Sequence, residues 1–144
     1  ARGGTTVASA AILGRFFDVN DAFRFGPCVH DAVVVTLRDA SGARARGTYG
    51  LPGRALDRRE IPFTVEVRRA PANNDATHWL LAIRSTRFAH AVTVDDDHHH
   101  TSGDGGSLVP GDEMIVSLYG AGDTPPRGAL RALNGYPVPY GVMP

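Results

Sequence analysis

A chain of 144 residues has room for one domain with a buried core plus a short remainder, and its single cysteine, Cys28, excludes an intrachain disulfide framework. Fifteen arginines and no lysine balance fifteen acidic residues, so the formal charge is zero and the basic surface that dominates nucleic-acid affinity is missing. The lysine-free, arginine-rich composition reads as the codon bias of a GC-rich bacterial genome, and the uncharged stretch near the start, residues 3–13, is too short and too weakly apolar to span a bilayer or act as a secretory leader.

In chain order, residues 5–13 read as a strand, although Ala8, Ala10 and Ala11 would also suit a helix. Residues 14–27 form an aromatic-rich connection ending in Gly26-Pro27, after which the pattern becomes regular. Strands are expected at 31–39 and 43–49, separated by the turn Asp39-Ala-Ser-Gly42. In the segment 61–68 the alternation is strict, with Phe63, Val65 and Val67 on one face and Thr64, Glu66 and Arg68 on the other. The segments 78–84 and 87–95 have only Ser85-Thr86 between them. Two residues suit a tight hairpin, but Ser-Thr lacks the positive-φ preference of such a turn, so a kinked or sheet-switching strand is equally open, and the kinked strand is preferred. A polar loop at 95–106 precedes a last strand at 113–119, opened by Leu108-Val-Pro-Gly-Asp112, and a Pro- and Gly-rich tail follows with a short helix over 128–133.

Short strands at near-regular spacing, with no long amphipathic helix, predict an all-β fold, an immunoglobulin-like antiparallel β-sandwich. The expected organisation is a remnant strand or linker from a preceding domain at 1–27, the sandwich at 28–120 and the tail at 121–144. The lone Cys28 cannot supply the inter-sheet disulfide of antibody domains.

Three segments carry a more specific signal. Phe23-Arg-Phe-Gly-Pro27 leads into Asp31-Ala-Val-Val-Val-Thr-Leu-Arg-Asp-Ala-Ser-Gly42; Trp79-Leu-Leu-Ala-Ile-Arg-Ser-Thr-Arg-Phe-Ala-His-Ala-Val-Thr-Val94 follows; Leu108-Val-Pro-Gly-Asp-Glu113 comes third. In that order and spacing, over residues 15–119, they resemble the C-terminal immunoglobulin-like region of family 2 glycoside hydrolases of the β-mannosidase branch: its opening strand, its central strand pair and the turn before its final strand. The loop Thr101-Ser-Gly-Asp-Gly-Gly-Ser107 departs from the family pattern, which places aromatic residues there. The resemblance implies a parent retaining exo-glycosidase that removes terminal β-mannose, with its catalytic glutamates on an upstream (β/α)8 barrel. The partners it implies are the other domains of that hydrolase.

The titratable residues agree with a chain that is itself non-catalytic. Retaining hydrolysis needs two carboxyl groups about 5 Å apart, and the only glutamates are Glu60, Glu66 and Glu113. Glu66 falls on the polar face of a strand and Glu113 beside a turn, both reading as solvated carboxylates; Asp18 and Asp21 read as turn-forming. Asp95-Asp-Asp-His-His-His100 contains metal-ligand types, but adjacent residues of an extended segment do not converge, and only alternate ones such as His98 and His100 share a side. A solvated loop is the plain reading. His90 reads as a boundary histidine with a satisfied hydrogen bond, and Cys28, with His30 nearby, as an inert half-buried thiol. No catalytic, cofactor-binding or metal-binding residue is therefore assigned.

An independent carbohydrate-binding module is the alternative function, drawing on Trp79, Tyr49, Tyr119, Tyr136 and Tyr140. It requires two exposed aromatics on one face, whereas Trp79 shares the face of Leu81 and Ile83 and reads as core. Glycan stays an expected partner under that alternative, nucleic acid and membrane do not, and the compartment is left open with the cytoplasm favoured.

Overall fold

A computed structural model of the protein describes residues 8, 11–12, 14–16, 32–38, 40–41, 44–50, 58–70, 78–120 and 123–141. Two compact units divide the chain, Ala1–Arg54 and Ala55–Pro144. In the first, β1 (Ala32–Arg38) and β2 (Arg44–Gly50) form an antiparallel pair in which Val35 stands opposite Gly47. Of the segment read as a strand at 5–13, the described part is a short turn in which the Ala11 amide bonds the Ala8 carbonyl; the remainder lies outside the described residues.

Among the described residues the second unit holds seven strands: β3 (Phe63–Arg69), β4 (His78–Ser85), β5 (Thr93–Asp96), β6 (His100–Ser102), β7 (Glu113–Tyr119), β8 (Arg127–Arg131) and β9 (Val138–Gly141). They make two antiparallel sheets, ordered β3-β4-β7-β6 and β5-β8-β9. With the seven strands lettered A to G in sequence, these orders are ABED and CFG, the constant-type immunoglobulin arrangement. The expected fold class is therefore present, in a different stretch of chain. The sandwich runs from Phe63 to Gly141 rather than over 28–120, and β1 and β2 belong to the other unit.

The tail reading of 121–144 is corrected at the same point. Arg127–Arg131 is strand β8 and not a helix, and β9 follows it as an edge strand. Pro139 is tolerated in β9 because one side of an edge strand has no ladder to supply with N–H groups.

Alternating apolar side chains build the core. Val65, Val67, Leu81, Ile83, Met114, Val116 and Leu118 face inward from the first sheet and meet Val94 and Leu130 of the second, with Ile61, Ala89, Val92 and Leu108 closing the space between. Burying a leucine or isoleucine such as Leu81 or Ile83 contributes about 1.5–3 kcal/mol. On β3 the expected alternation holds residue by residue, Phe63, Val65 and Val67 being half-buried and Thr64, Glu66 and Arg68 exposed.

The segment 87–95 is not one strand. After Ser85 the chain leaves the first sheet, makes a single antiparallel bridge from Ala89 to Leu108, and enters the second sheet at Thr93. The preferred kinked strand is thus a sheet switch. Its pivot is Ala91, the one described non-glycine residue with positive φ, at 48°, a conformation that an L-residue adopts at a cost of about 1–2 kcal/mol. The loop read at 95–106 is likewise shorter than expected, since it contains the end of β5 and all of β6.

Candidate functional site

Three connections meet at one end of the sandwich: the segment 58–62 before β3, the β4–β5 switch at 86–92, and the β8–β9 turn at 132–137. Asn134 ties them together. Its carboxamide oxygen accepts from the His90 amide at 2.8 Å, its Nδ2 donates to the Phe88 carbonyl at 2.9 Å, and its own carbonyl accepts from the Arg59 amide at 3.0 Å. Asn134 is buried, so these bonds replace the water it has lost. Gly135 lets the turn approach the segment closely, because a Cβ there would lie 2.7 Å from Ile61 Cδ1. Ser107 supports the switch from the β6–β7 connection, its Oγ accepting from the Ala91 amide at 3.3 Å and sharing a 3.0 Å hydrogen bond with His90 Nδ1.

Beside this clamp lies a groove of about 690 Å³, within the size range of small-molecule sites. Pro62, Pro137, Val138 and Pro139 form apolar walls, Tyr136 is 52% exposed, and Glu60, Thr86 and Arg87 bring a carboxylate, a hydroxyl and a guanidinium. Arg87 is steadied by its amide donating to Ser85 Oγ at 3.0 Å and by Nη1 donating to the Glu60 carbonyl at 3.3 Å.

At the opposite end the structure buries a polar network. Asp96, Gly128 and Tyr140 stand in one register row across β5, β8 and β9. The Tyr140 hydroxyl passes over Gly128 and donates to Asp96 Oδ2 at 2.6 Å. Asp96 Oδ1 accepts from the amides of His98 and His99, both at 3.0 Å, and from His99 Nδ1 at 2.7 Å. The side chains of His99 and Asp96 are 1% and 0% exposed. Glycine is required at 128, since a Cβ would overlap the Asp95 carbonyl oxygen and come within 2.9 Å of Asp96 Cα; at Gly120 one would lie 2.6 Å from the His99 ring. Burial alone would raise the Asp96 pKa, but the hydrogen bonds from Tyr140, the His98 amide and His99 outweigh it and hold the carboxyl below its ordinary value. Burial and the bond to Asp96 push the Tyr140 phenol far upward, so Tyr140 stays a donor.

The run Asp95–His100 therefore divides by burial. Asp95, Asp97, His98 and His100 are exposed, with Asp95 paired to Arg131 and Asp97 to Arg127, both at 3.0 Å. The two buried members serve as a lock, which corrects the reading of the whole run as a solvated loop. No group of three or more His, Cys, Asp or Glu among the described residues is arranged to hold a metal ion.

Elsewhere Glu66 is exposed and bound by Arg68 at 2.8 and 2.5 Å, a hydrogen bond that lowers its pKa, and Glu113 pairs with Arg84. His90 is half-buried on Ser107 and Phe88, and Trp79 is half-buried against the core with the Arg69 guanidinium 5.1 Å above its ring. Tyr119 is 44% exposed on the outer face of the first sheet and stacks on His78 at 5.1 Å, apart from the Tyr136 groove. Asp18, Asp21, Cys28 and His30 lie outside the described residues, as does the side chain of Tyr49. Comparison of the chain with protein-family models, with curated proteins and with solved structures found no match.

Proposed function

We propose that this chain is an accessory β-sandwich module of a β-mannosidase-like retaining exo-glycosidase, in which a separate catalytic barrel hydrolyses terminal β-mannosides. The observation that carries the reading is where the segments similar to that family fall. Trp79–Val94 covers β4 from its second residue, the sheet switch and the first half of β5, and Leu108–Glu113 contains the turn that opens β7. There the Asp112 amide bonds the Val109 carbonyl at 3.0 Å and Gly111 takes φ of 85°, a type II turn with proline and glycine at its central positions. The segment Asp31–Gly42 falls on β1 and the turn after it, in the other unit.

The carboxylates fit the same role. Glu66 and Glu113 are engaged by arginines on a sheet surface, and Glu60 is the one carboxylate among the described lining residues of the Tyr136 groove, where retaining hydrolysis would need a pair. Hydrolysis of a chromogenic β-mannoside by this chain, beside a longer product of the same reading frame, tests the proposal. Activity confined to the longer protein supports it. Activity in this chain, or none in either, overturns it.

A further inference from the structure

We infer that the groove between the β4–β5 switch and the β8–β9 turn binds one neutral sugar unit, on a single aromatic platform rather than the two that an independent glycan-binding module requires, with Tyr136 as that platform and Glu60, Thr86 and Arg87 as the hydroxyl-recognising groups. A pyranose ring is amphipathic, with one face of C–H bonds and an edge of hydroxyls. The groove has the matching halves: an exposed aromatic ring between proline walls on one side, and an acceptor, a donor and a hydroxyl on the other. Among the described lining residues one carboxylate and one guanidinium cancel, which selects against phosphate and sulfate ligands and favours an uncharged one.

The lining is also pre-formed. Proline fixes the backbone at three of its positions, Asn134 fixes the turn that carries Tyr136, and Arg87 is held by Ser85 and the Glu60 carbonyl. Little ordering remains to offset the binding energy. A proline-rich peptide fits less well, because such ligands dock between several aromatic rings and Tyr136 is the one aromatic among the described lining residues.

The test is a titration of the full chain with methyl β-mannoside, methyl β-glucoside, mannobiose and cellobiose, followed by amide chemical shifts and calorimetry. Saturable binding of at least one of them, with shifts centred on residues 60–62, 86–87 and 136–139, is expected. Tyr136→Ala weakens it about tenfold, the loss of one ring contact, Tyr136→Phe retains it, Glu60→Gln weakens it several-fold and Tyr119→Ala leaves it unchanged. Tyr136 is exposed, so the unfolding midpoint of Tyr136→Ala stays at the parent value and separates lost binding from lost fold. The inference is overturned by absence of saturable binding by all four sugars, by equal weakening in Tyr136→Ala and Tyr119→Ala, or by a polyproline peptide that shifts these amides when no sugar does.

Discussion

Replacing Tyr140 by Phe deletes one hydroxyl and leaves the ring in place, which isolates the bond to the buried Asp96 carboxylate. A hydrogen bond to a charged group contributes about 1.5–3 kcal/mol. Asp96 keeps three other donors, two amides and His99 Nδ1, so the loss belongs in the lower half of that range, about 2 kcal/mol. For a unit the size of Ala55–Pro144 each kcal/mol moves the thermal midpoint by about 4–8 °C, giving a fall of roughly 8–16 °C in a calorimetric scan at pH 7. The pH profile supplies a second readout. Asp96 titrates below the ordinary aspartate value when folded, so just under pH ~4 the unfolded chain binds more protons and stability is lost as pH falls. Tyr140 titrates above the ordinary phenol value, so beyond pH ~10 the unfolded chain releases its proton first and stability is lost as pH rises. In Tyr140→Phe the alkaline loss disappears with the phenol, and the acid loss shrinks, because with one donor fewer the folded Asp96 carboxyl titrates closer to its unfolded value. A variant that melts within about 1 °C of the parent, or keeps an identical alkaline limb, refutes the reasoning.

Gly128→Ala drives a methyl group into the Asp95 carbonyl and is expected to cost more than about 3 kcal/mol in urea unfolding. Gly105→Ala, at φ of 84° with open space around it, costs only the backbone term of about 1 kcal/mol. Asn134→Ala strands the His90 amide and the Phe88 carbonyl and lowers stability by about 2–3 kcal/mol, and hydrogen exchange should show faster opening of the 86–92 and 132–137 connections. Ala91→Gly relieves the left-handed pivot and raises stability by about 0.5–1 kcal/mol once the extra entropy of glycine is subtracted, a gain read from the denaturant midpoint.

What the sequence displays is what nearest neighbours encode. The period-two alternation of β3 and the Pro110-Gly111 turn are local, and each is found where its pattern places it. The run 127–141 defeats the same reasoning, because glycines and prolines that usually mark a tail serve here for close strand approach at Gly128 and for an edge position at Pro139. The sheet switch is one of the forms the segment around Ser85-Thr86 leaves open, but nothing local selects it, because its driver is long-range: Ala89 pairs with Leu108 and the Ala91 amide rests on Ser107. Asp96 and His99 sat inside a conspicuous acidic and histidine run, yet their burial depends on Tyr140, 44 residues away. An aspartate three residues before a histidine is a weak signal, and a glycine between two strands of one row becomes a signal only when the register is known.

The two ends of the sandwich are fastened by the same physical device. In antibody domains a disulfide joins strands B and F through the middle of the core; here the corresponding strands β4 and β8 bring Leu81, Ile83 and Leu130, which offer packing but no tie. Loops over such a core would carry unpaired backbone groups unless something satisfied them. Asn134 and Ser107 do so where β4 leaves its sheet and β8 turns into β9, and Asp96 does so where β5 turns into β6, with the His99 ring lying against Gly120 at the end of β7. Each clamp uses a fully engaged polar side chain, and each needs a glycine opposite it, Gly135 at one end and Gly128 with Gly120 at the other. A fold fastened at its rims in this way holds its loops as firmly as its strands, and a groove built from those loops, such as the one carrying Tyr136, keeps its shape without a ligand to organise it.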